Sequence, residues 1–321
     1  MDQQIFAPKP ENALGPWDVI IIGSGPASLT AAIDTTRGAA STLILGGESW
    51  GGQLMLTTVV DNYPALPGIQ GPELMQKMRE HAIRFGGEFL EKNVDSADFS
   101  KQPFELSAAG AIYKARSVII ASGAETLWLG VPGEDKLRGR GVSSCAPCDA
   151  PFFKGKNVLV IGGGDSAMEE ALVLTKYATS VIIVHRRNEF KASAAMQKKV
   201  FDLQEQGKIK IILNTEVTEF IGANKLEKVK IRNVETGKIS EMLADGAFVA
   251  IGHIPSTQIF KGPLELDQKG YVVVHDHTKT NLPGVFVAGD VHDYHYKQAV
   301  TAAGFGCMAA MDVLKYLDEI K

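Results

Sequence analysis

Two short apolar runs, Val19 to Ile22 and Val158 to Ile161, each end in a glycine-rich turn that opens a helical pattern, and a Cys-x-x-Cys stands between them at Cys145 and Cys148. The repeated strand, turn and helix predicts an α/β protein with two Rossmann-like nucleotide-binding domains. Length agrees, since 321 residues suit two domains of about 150 residues each. The cysteine pair adds a chemistry to this frame: a redox disulfide served by two nucleotides.

Composition is that of a globular protein, with 45% hydrophobic residues, 22% charged residues and a formal net charge of -4. Nothing in that balance calls for nucleic acid or an anionic membrane. The apolar runs named above stop at glycine well short of the roughly 18 residues a spanning helix needs. Met1 to Pro16 has no signal-peptide or transit-peptide pattern, so it reads as a loose tail and export is not expected. Three cysteines are too few for a disulfide framework, and the expectation is a soluble, cytoplasmic protein.

The first turn is Gly23-Ser24-Gly25-Pro26-Ala27-Ser28. Gly23 permits the turn, Gly25 lets a pyrophosphate approach the backbone, and the helix that follows offers unpaired N–H groups to it. The third motif position holds Ser28 in place of glycine or alanine, a departure that would loosen helix–strand packing. After the second strand, Thr42 to Leu45, the nearby acid is Glu48, for which a ribose contact and a solvated loop acid both stand open. Gly51 to Pro64 is too long and polar for a simple connection and reads as a functional loop. Val118 to Ala121 is a further buried strand, and Gly123 after it marks a domain exit.

From Trp128 to Cys145 the glycines and charges read as linker. Two cysteines three apart at a helix start can close a small disulfide, and a helix N-terminus favours thiolate. Half of a zinc site is the competing structural reading, but neither a second Cys-x-x-Cys nor a His-x-x-x-His occurs to complete four ligands. Asp149 is read as the group that handles a proton during thiol chemistry, a role compatible with helix capping. Cys307, in an apolar stretch, is read as a buried packing residue.

The second turn is Gly162-Gly163-Gly164-Asp165-Ser166-Ala167, and its second strand, Val181 to Val184, ends in His185-Arg186-Arg187. Arginines where an acid would meet ribose hydroxyls suit a 2'-phosphate, so NADPH is inferred over NADH, with Lys191 as a third contact. Lys208 to Ala250 reads as a small antiparallel meander, and Gly252 as a second domain exit. Val285 to Ala288 is a strand ending in Gly289-Asp290, where Asp290 suits a ribityl chain or ribose. A helix from Gln298 to Leu317 follows, with Ala302, Ala303 and Gly304 for close packing. His275, His277, His292 and His295 are read as scattered surface histidines, so no metal is expected.

These motifs, in this order from Gly23 to Leu317, resemble the low-molecular-weight thioredoxin reductases: Gly-Ser-Gly-Pro-Ala at 23–27, Gly-Gly-Gln at 51–53, Cys-Ala-Pro-Cys-Asp at 145–149, Gly-Gly-Gly-Asp-Ser-Ala at 162–167, His-Arg-Arg at 185–187 and Gly-Asp at 289–290. The resemblance implies three-layer ββα nucleotide-binding domains, with an NADPH domain (125–253) inserted into an FAD domain split into 1–124 and 254–321, and a homodimer. It implies that electrons pass from NADPH through FAD to the Cys145–Cys148 disulfide and then to an oxidised thioredoxin-like protein. Cys148 would face the flavin, Cys145 would attack the partner and Asp149 would handle the proton. Gly23, Ser24, Gly25, Pro26, Ala27, Gln53, Asn62, Asp290 and Gln298 would line the FAD site. Gly162, Gly164, Asp165, Ser166, Arg186, Arg187 and Lys191 would hold NADPH. A lysine at 191, where arginine is common, lacks the bidentate fork and implies weaker NADPH binding. Arg140 and Phe152 would dock the partner, with Pro151 where an aromatic is frequent.

Two alternatives keep the same fold: a flavin-dependent disulfide oxidase or ferredoxin-linked reductase, and a non-enzymatic module that senses NADPH. Because one disulfide must meet first a flavin and then a protein, rotation of the NADPH domain about the segments near Gly123 and Gly252 is expected.

Overall fold

The computed structural model describes residues 9–57 and 59–320. They fall into two compact units, one running to Glu125 and resuming at Ile254, the other spanning Thr126–His253. Met1 to Pro8, half of the expected tail, lies outside the described residues. The other half is no loose tail: Lys9 pairs with Glu88 at 2.8 Å, the Lys114 amide donates to the Leu14 carbonyl, and the Trp17 indole donates to the Ala13 carbonyl.

The first unit starts with β1 (Trp17–Ile22), α1 (Pro26–Arg37), β2 (Thr42–Leu45), α2 (Gly71–Arg84) and β3 (Glu88–Leu90). Three strands follow, β4 (Val94–Asp98), β5 (Phe104–Ala108) and β6 (Ala111–Ile120). β1, β2 and β3 are parallel, while β4, β5 and β6 form an antiparallel meander. β6 belongs to both: Ala111 to Ala115 faces β5, and Ser117 to Ile120 runs parallel beside β1. Its sequence records the change. Buried Tyr113 and Ala115 alternate with less buried neighbours, then Ser117, Val118, Ile119 and Ile120 are buried without a break, as a strand covered on both faces requires. Only that second half stands out in the sequence as a buried strand, Val118 to Ala121.

The chain then leaves through β7 (Ala124–Thr126). The second unit opens with α3 (Glu134–Leu137), β8 (Val142–Ser143), α4 (Ala146–Asp149), β9 (Asn157–Ile161), α5 (Asp165–Leu174) and β10 (Ser180–Val184). It continues with α6 (Ala194–Glu205), β11 (Ile209–Ile212), β12 (Thr215–Ile221), β13 (Lys228–Asn233), β14 (Ile239–Leu243) and β15 (Gly246–Val249). A five-stranded sheet has the order β11-β10-β9-β15-β8, and β12-β13-β14 form a separate antiparallel sheet. The expected meander is therefore confined to β12–β14, because β11 and β15 join β10 and β9 in parallel pairing. Nor is 128–145 a linker. Fully buried Glu134 accepts the amides of Leu129 and Gly130, and β8 pairs with β15. Its glycines make tight turns: Gly133 has φ 83°, and a Cβ there would stand 1.9 Å from the Phe220 carbonyl oxygen.

The chain returns through β16 (His253–Pro255), which pairs with β7, and ends in β17 (Val285–Val287) and α7 (Ala299–Glu319). β17 lies parallel to β6 in the first unit. α7 packs along α1, where a Cβ on Gly306 would come within 2.1 Å of the Ala27 carbonyl oxygen. Close approach thus depends on Gly306, while Gly304, expected in that role, is exposed with open space around it.

Candidate functional site

In the first unit, the turn after β1 is shaped by contact with backbone. Gly23 has φ 115°, and a Cβ there would sit 2.2 Å from the Ala121 carbonyl oxygen. Gly25 caps α1 with open space on its Cβ side, and Pro26 fills the first helical turn without wasting a donor. Buried Ser24 donates to the Gly46 carbonyl at 2.6 Å and accepts the Gly51 amide at 2.9 Å, which ties the turn to two later loops. Ser28 does not loosen the packing: it is fully buried and its hydroxyl closes on the Gly23 carbonyl at 2.6 Å. Gly52 lies against Gly25, so the loop carrying Gln53 meets the turn; Gln53 itself is the second residue of a short 3-10 helix, Gly52–Leu56, and is exposed.

The return segment reaches the same place. Gly289 opens a 3-10 turn beside the Ala27 side chain, and that turn carries Asp290. Gln298 caps α7 and accepts from the Asn62 amide at 2.9 Å, joining residues 236 apart in sequence. Asp290 Oδ1 is buried without a donor among the described residues, and burial, helped by Asp293, pushes its carboxyl up to about 7. His292 Nε2, in the same loop, is likewise buried without a partner. His292 is thus not a surface histidine: its ring stacks edge-on against Phe305, and burial lowers its pKa. Glu48 is exposed, its amide bonded to Asn93. These features fit FAD. A glycine turn open at Gly25 suits a pyrophosphate, and a buried carboxylate oxygen lacking a donor suits a ribityl or ribose hydroxyl.

The second unit repeats the turn. Gly162 has φ 153°, with a Cβ position 2.3 Å from the Ala250 carbonyl oxygen, and Gly163 rests on the His185 ring. Gly164 caps α5 over open space. The Gly163 carbonyl accepts the amides of Lys191 and Ala192, and Asp165 accepts the amide of Ser193. Those bonds fold residues 191–193 onto the turn. Ser166 is exposed in the first turn of α5. Arg186, Arg187 and Lys191 are exposed, and none is in an ion pair among the described residues. Burial lowers the His185 pKa; its bond to the Glu189 carbonyl opposes this, and the neighbouring Arg187, Arg186 and Lys191 lower it further. Three unneutralised cations beside an open helix N-terminus fit the pyrophosphate and 2'-phosphate of NADPH.

Cys145 and Cys148 are joined by a disulfide, S–S 2.06 Å, across the start of α4. Ser143 Oγ accepts the Cys145 amide at 3.1 Å and its hydroxyl donates to the Asp149 carboxylate. Burial raises the Asp149 pKa, and the bond from Ser143 only partly opposes this. The pair is closed, so neither sulfur is a free thiolate, and no group of three or more His, Cys, Asp or Glu placed to hold a metal occurs among the described residues. Glu170 on α5, for which no sequence motif predicts a role, accepts the Ala146 amide between the two cysteines. Arg140, Pro151 and Phe152 are exposed. Cys307 is half-buried, not buried, and hydrogen-bonded to Asp34.

Among proteins of known sequence, the thioredoxin reductase of Rickettsia prowazekii is 47% identical over 307 residues, covering 94% of this chain and 98% of its own. That of Streptomyces coelicolor is 49% identical over 304 residues, 94% of each. The solved thioredoxin reductase of Giardia duodenalis superposes with a TM-score of 0.90 at 41% identity, covering 94% of this chain and 99% of its own. The enzyme from Streptococcus pyogenes gives 0.89 at 38%, with 94% and 98% covered. The sequence pattern of the pyridine nucleotide-disulphide oxidoreductases matches residues 17–306, and this chain belongs to that family.

Proposed function

We propose that the chain is an NADPH-dependent thioredoxin reductase that contains FAD. The observation that carries the reading is the closed Cys145–Cys148 disulfide beside the half-buried Asp149 carboxyl, in one unit with a glycine turn and three cations that form no ion pair among the described residues. FAD, when bound, supplies a carrier that takes a hydride from NADPH and yields electrons to a disulfide. The chain's own residues bind and orient. The turn Gly23 to Ala27 takes the FAD pyrophosphate, Asp290 accepts from a sugar hydroxyl, and Gln53, Asn62 and Gln298 border the rest. Gly162, Gly164, Asp165 and Ser166 receive the NADPH pyrophosphate, and Arg186, Arg187 and Lys191 its 2'-phosphate. On reduction, the Cys145–Cys148 bond breaks and two thiols form. Cys145 as thiolate attacks the partner's disulfide, Cys148 then displaces the partner from Cys145, and Asp149 exchanges the proton that the departing sulfur needs.

Arg140 and Phe152 receive the thioredoxin. α7 presents Val300, Met308 and Met311 to solvent at 40%, 38% and 65% exposure, which supports a homodimer through that face. α7 is also the one described helix long and apolar enough to span a membrane. Its burial of Ala302, Ala303, Gly306 and Ala310 supports a core helix instead of a span, which is compatible with the proposed cytoplasmic location.

The test is anaerobic mixing of the FAD-loaded protein with NADPH or NADH, then addition of candidate thioredoxins. Fast bleaching of flavin absorbance by NADPH, slower bleaching by NADH, and continuous NADPH oxidation with one thioredoxin are expected. No bleaching by either nucleotide would overturn the reading, and bleaching without turnover on any thioredoxin would favour a sensing module.

A further inference from the structure

α5 starts at the glycine turn of the second unit and buries Ala167, Met168, Ala171 and Leu174. Glu170 lies at the edge of that face, half-buried, and α5 packs on α4. Its carboxylate accepts the amide of Ala146, a fully buried residue directly after Cys145. A cysteine at a helix start ordinarily forms thiolate more readily because free amides face the sulfur. Here the first of those amides is already engaged by a carboxylate.

We propose that Glu170 is a positioning residue for the redox pair: it fixes the Cys145–Cys148 turn through the Ala146 amide and sets a negative charge against Cys145 that opposes thiolate formation. The proposal rests on Cys145 being the exchanging sulfur. Asp149, from α4 itself, is a second carboxylate at the turn, and α5 also carries Asp165 and Glu169, both exposed. β8 contributes only Val142 and Ser143, and the 3-10 turn after α4, Ala150–Phe153, has no charged residue. Ser143 accepts the Cys145 amide and donates to Asp149, so Asp149 reaches the turn through a side-chain hydroxyl and Glu170 through the Ala146 amide. A carboxylate there makes the reduced state costlier at any pH where Cys145 is a thiolate. That keeps the pair a stronger reductant, as a donor to another disulfide requires.

The readout is the pH profile of Cys145 alkylation by iodoacetamide in chemically reduced Cys148→Ser protein, followed by mass spectrometry of the peptide that carries Cys145. Glu170→Gln keeps an acceptor for the Ala146 amide and removes only the charge. Its alkylation midpoint is expected about one pH unit below that of the Glu170 protein. Below both midpoints the rate should rise about threefold, a tenfold gain in thiolate offset by its lower nucleophilicity. With both cysteines present, the disulfide potentials of the two proteins should coincide at acid pH. They should diverge as pH rises, until Glu170→Gln favours the reduced form by up to about tenfold, or about 30 mV. Glu170→Asp draws the charge back by one methylene and should shift the midpoint in the same direction by less; it supplies the test if the Gln protein does not fold. An unshifted midpoint in the folded variants, or potentials that differ by a constant amount at every pH, overturns the proposal. Alkylation needs neither FAD nor NADPH, so its failure is distinct from a failure of NADPH-driven reduction.

Discussion

Two half-buried aspartates, Asp290 and Asp149, both have carboxyls whose pKa burial raises, and the sign of each effect predicts an experiment. Asp290 sits near 7 because burial penalises its charge and no donor meets Oδ1. A sugar hydroxyl of FAD donates best to the ionised form, so binding should lower the pKa, and FAD affinity should fall as pH drops below about 7. Titrating apoprotein with FAD by fluorescence quenching checks this, and Asp290→Asn should flatten the pH dependence while weakening binding at alkaline pH. Asp149 follows a different line. Its folded pKa lies above the unfolded carboxyl value, so its stabilising contribution is complete below the unfolded value and is lost as pH rises through the folded one. Asp149→Asn should therefore melt no lower than wild type at neutral pH, yet lose about 10²-fold in turnover if the carboxyl exchanges a proton with sulfur. Melting followed by circular dichroism, set beside NADPH oxidation, separates the two effects.

Elements were legible where local stereochemistry dictates them, and illegible where a distant partner does. Gly23 and Gly162 could be assigned to turns because a strand ending in glycine before a small-residue helix has few other solutions, and both hold positive φ against a backbone carbonyl. Ser28 was harder. Its hydroxyl repairs the motif by bonding Gly23, a contact set by the three-dimensional turn and not by residue size. The bonds of Glu134 and Glu170 carried no signal, since their partners are two loop amides and a second helix; Asn62 and Gln298 were each matched to the FAD site by resemblance, but their pairing across 236 positions was not legible. Gly306 is the same case on α7. Gly304 looked equivalent in the apolar stretch, but the helix turns Gly306 toward Ala27 and Gly304 toward solvent. Gly306→Ala should force α7 off α1 at a cost of about 1–3 kcal/mol. Thermal melting should show a drop of about 2–4 °C per kcal/mol lost, with weaker FAD retention, because α7 is held beside the Gly289 turn.

At the scale of the molecule, the proposed functions are divided between units joined by two short crossings. The residues proposed for FAD belong to the unit that includes β1 and α7, while the disulfide and the residues proposed for NADPH belong to Thr126–His253. Beside the crossings, Gly123 and Gly252 have φ 74° and 118°, and the Ser256 amide bonds the Gly123 carbonyl as the Leu127 amide bonds that of Gly252. β7 and β16 are three residues each, so little regular structure has to deform for the crossings to twist. Catalysis by one disulfide requires that it receive electrons at the flavin and then accept a thioredoxin, while the nicotinamide takes its own turn at the flavin. We predict that the second unit rotates about these crossings once in each half of the cycle. A photocleavable crosslink between the units should abolish steady-state NADPH–thioredoxin turnover while leaving FAD bound. Illumination should restore it. Turnover that survives in fully crosslinked protein would mean that a single arrangement serves both transfers, and the rotation would then have no place in the cycle.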